Sequence, residues 1–227
     1  MCGRVIRTTP KELLAQLFGL TVMPDVLPLR YNLAPTDPIP VIREPGRLEL
    51  LRWGLTLDNP KSSGFNAGIE SMGWKVYRDS LRSRRCLVIA DGFYEWRAHG
   101  GKKWPYLIFR EDRLPLTFAG FYDGADGCTL ITKPSEGTLA TLHERMPVML
   151  ERGAFDAWLD PKIVDAMPML RAANANGLTC YPVSRAVNAV ANDDARLLER
   201  VPEFGEGAGE SGPVKAEEPG KKQLGLF

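Results

Sequence analysis

The feature that most restricts this chain's fold is where its strand-forming segments lie. They crowd the middle, while helical signals sit toward the ends. Arg84-Arg85-Cys86-Leu87-Val88-Ile89-Ala90 is a basic step into an apolar run, Asp91-Gly92 turns the chain, and Phe93-Tyr94-Glu95-Trp96 continues as a second strand. Residues 106–109, 116–121 and 128–132 read as further strands, preceded by 39–43 and by 48–57, which alternates around Trp53-Gly54. Residues 30–36 read as a loop. A helix is expected after Thr9, with Thr9 as cap, Pro10 in the first turn and Glu12 completing a capping box. Leu13, Leu14, Leu17 and Phe18 form its apolar face, and Gly19 ends it. Residues 137–143, 152–159 and 162–172 read as helices. With no alternation of strand and helix, the expected class is α+β with a mostly antiparallel sheet.

At 227 residues the chain has room for one sizeable domain, and 44% hydrophobic residues supply a core. No run reaches the ~18 apolar residues of a membrane span. The start lacks the apolar stretch of a secretory signal, so the expected location is the cytoplasm, on the nucleoid. Net charge is +1, but five glutamates and three lysines fall between Val201 and Phe227, leaving a small positive excess elsewhere. Any nucleic-acid surface is therefore a local patch. From about Glu203 the composition turns to Gly, Glu, Pro, Ser and Lys, which builds no core. The expected division is a folded domain over 2–202 and a disordered tail over 203–227.

Of the four cysteines, Cys2, Cys86, Cys128 and Cys180, no two form a CxxC pair, so no zinc ribbon is expected. Cys86 and Cys180 read as small core residues. Cys2 differs in position. Removal of Met1 would leave an α-amine and a thiol on one residue, with ordinary pKa values of about 7.7–8.0 and about 8.5. The amine condenses with an aldehyde to a Schiff base, and the adjacent thiol closes a five-membered thiazolidine at high effective molarity. Read alone, the position of Cys2 favours a small residue that happens to stand second.

Three other residues bear on this chemistry. Glu95, between aromatic neighbours, gains a raised pKa if its face is buried, or is a solvated strand residue. His143 sits at a helix end, where a structural role is more common than a catalytic one. Asn66, in Phe65-Asn66-Ala67 with Glu70 four residues on, is a turn former or a positioning group. The only other histidine, His99, lies in the turn His99-Gly100-Gly101-Lys102-Lys103 and reads as solvated.

Met1-Cys2-Gly3-Arg4, Tyr31-Asn32-Leu33-Ala34-Pro35, Trp53-Gly54, Phe65-Asn66-Ala67, Ala90-Asp91-Gly92-Phe93-Tyr94-Glu95-Trp96, Phe118-Ala119-Gly120 and His143-Glu144-Arg145-Met146-Pro147-Val148 occur in the order of the SOS-response-associated peptidase (SRAP) family of abasic-site processing proteins. The chain resembles that family from Cys2 to about Val201. The resemblance implies a barrel-like sheet flanked by helices, with a basic groove for single-stranded DNA. It implies a thiazolidine crosslink from Cys2 to the open-ring aldehyde of an abasic site, with associated autopeptidase and lyase-type activity and no cofactor. Carried over by motif, Asn66 orients the amine and sugar, Glu95 moves protons, and His143 helps open the sugar ring and reverse the link. Arg4, Trp53 and Arg145 match positions that hold phosphates or stack on bases. The family's Asn-Ala-Arg is here Asn66-Ala67-Gly68, with Lys75 or Arg78 expected to replace the lost contact.

Gln223-Leu224-Gly225-Leu226-Phe227 resembles the bacterial sliding-clamp-binding pentapeptide, with Gln223, Leu224, Leu226 and Phe227 as anchors on a tether. The expected partners are abasic single-stranded DNA and the sliding clamp, the expected state a monomer. Two other readings are an N-terminal-nucleophile amidohydrolase, since class II glutamine amidotransferases also begin Met-Cys-Gly, and a non-catalytic single-stranded-DNA-binding module.

Overall fold

The structure is a computed structural model that describes residues 2–56, 64–124 and 126–204. In chain order its elements are β1 (Val5–Arg7), α1 (Lys11–Phe18), β2 (Arg30–Leu33), β3 (Pro38–Glu44), β4 (Arg47–Trp53), β5 (Asn66–Gly68), α2 (Lys75–Ser83), β6 (Arg85–Ala90), β7 (Gly92–His99), β8 (Lys102–Arg110), β9 (Leu116–Tyr122), β10 (Gly127–Pro134), β11 (Arg145–Pro147), α3 (Phe155–Leu159), α4 (Met167–Ala172) and β12 (Leu178–Pro182). The expected α+β class holds. One sheet has five strands in the order β12-β8-β7-β1-β2, all antiparallel.

The other sheet closes on itself. β10 pairs with β4, β4 with β3, β3 with β6, β6 with β9, and β9 with β10 again. All but one of these pairings are antiparallel, the exception being β4 with β10. The seam between β9 and β10 needs a glycine, because a Cβ on Gly120 would lie 2.6 Å from the Thr129 carbonyl oxygen.

Alternation along the ring strands sorts their side chains. Ile39, Val41, Leu51, Cys86, Val88, Phe118, Cys128 and Leu130 point to one side and join Val5, Phe93, Tyr106 and Ile108 of the five-stranded sheet in one buried cluster. Ile42, Leu48, Leu87, Ile89, Phe121 and Ile131 point to the other side, where Leu14 of α1, Tyr77 and Leu81 of α2, Trp158 of α3 and Leu170 of α4 cover them. Every residue of β6 is buried, as expected of a strand covered on both faces.

Trp158 is the largest anchor on the helical side. It is fully buried, its indole N–H donates to the Cys86 carbonyl at 2.9 Å, and the Arg85 guanidinium lies 5.5 Å from its ring. Trp158→Ala is expected to cost about 3–5 kcal/mol, read as a lower urea midpoint at unchanged slope.

Several sequence expectations need correction. Thr9 does not cap α1. Pro10 is the N-cap, and the Thr9 N–H and hydroxyl go instead to the Asp91 carboxylate, which also accepts from the Thr8 N–H. Asp91-Gly92 is not a hairpin turn, since it carries the chain from the ring into the five-stranded sheet, where β7 pairs with β8 and β1. Part of the expected loop 30–36 is strand β2, because it pairs antiparallel with β1, and the Asp193 carboxylate accepts the N–H groups of Tyr31 and Asn32. The expected helix 137–143 is a single 3-10 turn, Gly137–Thr141, and 162–172 is helical only in α4.

No helix among the described residues is long and apolar enough to cross a membrane. The tail beyond Phe204, including the pentapeptide 223–227, lies outside the described residues.

Candidate active site

The start of the chain runs antiparallel beside β7. Val5 faces Phe93, Ile6 faces Gly92, and the Tyr94 N–H donates to the Arg4 carbonyl at 3.0 Å. This register carries Cys2 toward Glu95. Cys2 is fully buried, and its sulfur lies 3.9 Å from the Arg4 carbonyl oxygen. Burial pushes its thiol well above the usual range, and the Glu95 charge pushes it further. Asn66, on β5, donates from Nδ2 to the Cys2 carbonyl at 2.6 Å. β5 is placed by its parallel pairing with β10, Asn66 opposite Leu130. The Asn66 Oδ1 is buried and accepts no hydrogen bond among the described residues.

Glu95 is 3% exposed and faces Tyr106 across the β7–β8 pairing. Burial raises its carboxyl to about 7, against the opposing pull of the chain's positive amino terminus and of Lys103. The group therefore exists in both protonation states near neutrality. His143 follows a 3-10 turn and precedes β11. Its Nδ1 accepts the Arg145 N–H at 3.0 Å, which leaves the proton of the neutral ring on Nε2. Burial lowers its pKa, and the amino terminus and Lys103 lower it further.

Glu95 and His143 thus feel the same two positive charges, and the amino terminus acts on Cys2 as well. The fold brings Cys2, Asn66, Glu95 and His143 to one place. Lys103 was missed, although two lysines directly after a Gly-Gly turn, on the strand paired with that of Glu95, were a legible signal.

The residues expected to touch DNA have different surroundings. Arg4 is partly buried, donates to the Gly3 carbonyl at 2.8 Å and has its pKa lowered by burial. Trp53 does not offer a stacking face in this structure. It is fully buried, edge-on to Phe65 with centroids 6.0 Å apart, and its indole N–H holds the Phe65 carbonyl at 2.9 Å. It therefore braces the backbone just before Asn66. The exposed indole is Trp74, 61% accessible and stacked on Tyr77. Lys75 and Arg78 are exposed on α2, and Arg78 lines a groove with Glu70, Arg82 and Arg171. Arg145 forms a two-pronged ion pair with Glu70, at 2.6 and 3.0 Å, and donates to the Thr132 carbonyl at 2.8 Å.

The profile of the family described as SOS response associated peptidase (SRAP) matches residues 1–190. The chain belongs to the SRAP family. Among relatives, the abasic site processing protein YedK of Escherichia coli is 30% identical over 224 residues, covering 88% of this chain and all of that one. The abasic site processing protein YoqW of Bacillus subtilis is 34% identical, over 74% of this chain and 85% of that one.

Among solved structures, a Bacteroides thetaiotaomicron protein superposes with a TM-score of 0.74 at 19% identity, covering 88% of this chain and all of that one, a likeness of fold alone. A phage-related protein of Bordetella bronchiseptica gives a TM-score of 0.67 at 30% identity, over 80% of this chain and 94% of that one.

Gly68, where the resemblance implies an arginine, has a local consequence. A Cβ there would lie 2.7 Å from the Glu70 carboxylate and 3.2 Å from the Arg145 guanidinium. The bare glycine leaves the space in which those two side chains meet. Arg145 is thereby engaged by Glu70, whose carboxylate is 58% exposed.

Proposed function

We propose that this chain processes abasic sites in single-stranded DNA by bonding to them through Cys2 once Met1 is removed. The observation that carries this reading is a buried carboxyl of pKa about 7, Glu95, acting on the thiol of Cys2, whose carbonyl is fixed by Asn66.

The chemistry follows from these groups. The Cys2 amine attacks C1′ of the ring-opened sugar and forms a carbinolamine. Protonated Glu95 gives its proton to the aldehyde oxygen as the amine attacks, takes up the proton the amine then sheds, and returns it to the departing hydroxyl, so water leaves, the iminium forms and Glu95 remains as the carboxylate. His143, with its proton on Nε2, donates a hydrogen bond to the ring oxygen of the sugar while the anomeric hydroxyl proton passes to that oxygen through water, so that the C1′–O4′ bond breaks and the aldehyde forms. The Cys2 thiol is held neutral by burial, so it waits until the positive iminium forms beside it. That charge lowers its pKa, the thiol proton passes to the Glu95 carboxylate, and sulfur adds to the iminium carbon to close the thiazolidine, which restores protonated Glu95. Lyase-type strand cleavage and self-removal of Met1 would draw on the same groups.

Two rival readings make different demands. An amidohydrolase would release ammonia from glutamine and has no evident use for a carboxyl of pKa about 7 at this position. A purely DNA-binding module would form no covalent product.

The test mixes full-length protein with an oligonucleotide carrying one abasic site. The expected result is a slowly migrating species on a denaturing gel, absent with undamaged DNA. Failure to form it with protein shown by mass spectrometry to begin at Cys2 removes the proposal.

A further inference from the structure

We infer that the rim of the site carries a slot for the nucleotide flanking the lesion, and that the chain's own Glu203-Phe204 pair occupies it as a mimic. The inference rests on the DNA reading above and extends it to a site on residues that reading does not use.

The β7–β8 register sets Glu95 opposite Tyr106 and Arg97 opposite Trp104, one row further along the same face. Two residues of strand are about 7 Å, so Arg97 and Trp104 are within reach of a nucleotide next to one held at Glu95, with His99 one row further on, opposite Lys102. The Phe204 ring lies flat on His99, with centroids 3.9 Å apart and planes at 17°, and edge-on to Trp104 at 5.7 Å. The Arg97 guanidinium is 5.5 Å from the same ring. A flat aromatic ring between a histidine face and a tryptophan, with an arginine beside it, is the environment that receives an unstacked base.

Glu203 supplies the second half of the mimic. Its carboxylate accepts from Arg97 at 3.0 Å and from the Tyr106 hydroxyl, as a phosphate oxygen would. Arg185 stands 5.9 Å from the Trp104 ring, and its buried Nε has no hydrogen-bond partner among the described residues. Phe204 takes a φ of 55°, a left-handed conformation rare for a bulky side chain, so docking of the ring offsets a backbone cost. Ring and carboxylate sit on adjacent residues, as base and phosphate do within one nucleotide. The mimic competes with DNA, and the apparent affinity falls by the fraction of molecules in which it is docked.

The test measures binding of the full-length chain to a labelled, undamaged thymine oligonucleotide by fluorescence anisotropy. Phe204→Ala is expected to tighten binding about five- to tenfold. Phe204→Leu, which keeps apolar bulk without the ring, should do the same. Adding Trp104→Ala to Phe204→Ala should return the affinity to the wild-type value or below. Unchanged or weaker binding by both Phe204 variants overturns the inference, as does a double variant that stays as tight as Phe204→Ala. The abasic-site gel is run in parallel. If the adduct forms while Phe204 variants bind as wild type does, the slot alone fails. If Phe204→Ala tightens binding but no protein forms the adduct, the slot stands and the crosslinking proposal falls.

Discussion

Cys2→Ala abolishes the denaturation-resistant adduct with an abasic-site oligonucleotide while leaving non-covalent binding intact. The expected loss is complete on the gel, because the product needs a sulfur that alanine lacks. The variant remains informative, since its mature chain still begins with an α-amine. That amine condenses with the sugar aldehyde as before but stops at the Schiff base, which water reverses. Borohydride should therefore trap a Cys2→Ala adduct that is invisible without reductant. The gap between trapped and untrapped yields measures what the thiol contributes. A thiol tethered to the imine carbon acts at an effective concentration as high as about 10⁵ M or more, far beyond any thiol in solution, so free thiol should not restore the stable species. An adduct formed by Cys2→Ala without reductant would remove the thiazolidine from the mechanism. Release of ammonia from glutamine by the wild type, lost in the same variant, would hand the site to the amidohydrolase reading.

Much of this fold was legible because most of its strands alternate or are wholly apolar. The segments 39–43, 106–109, 116–121 and 128–132 each lie within an observed strand. What escaped is structure imposed from a distance. Asn66-Ala67-Gly68 has no strand propensity, yet it is strand β5 because the edge of β10 supplies parallel partners. Residues 30–33 became β2 by pairing with β1, with the carboxylate of Asp193, far away in sequence, accepting the N–H groups of Tyr31 and Asn32. Closure of the ring at Gly120 appears only when Thr129 is brought against it.

The site was legible in its reactive groups and less so in its supports. Cys2, Asn66, Glu95 and His143 carry recognisable chemistry and converge. Trp53 misled because tryptophan serves equally as a platform and as a core anchor, and only burial separates the two. Arg145 was expected to hold phosphate, and its pairing with Glu70 over the bare Gly68 was not legible in the sequence.

Glu95→Gln is expected to slow adduct formation by about 10²–10⁴-fold, the range of general acid–base catalysis. Glutamine keeps the size and polarity of the side chain but has no exchangeable acid proton. The pH profile separates this from simple disruption. With a carboxyl of pKa about 7, wild type has comparable amounts of proton donor and proton acceptor near neutrality, so its rate should bend there. The variant should lose that bend and retain only the rise due to the free amine, near pH 8. Stability should move in the opposite sense. The folded-state pKa of Glu95 lies above the unfolded value near ~4.3, so folding favours the neutral acid. Its contribution is fully present below about pH 4 and is lost as pH rises through about 7. Above that, wild type holds a buried carboxylate that the glutamine variant does not. Glu95→Gln should therefore match wild type in urea at pH 5 and exceed it at pH 8, while being the slower protein at both. Lower stability of Glu95→Gln at pH 8, with a wild-type bend in its rate profile, would mean that Glu95 supports the fold and that the proton is moved by another group.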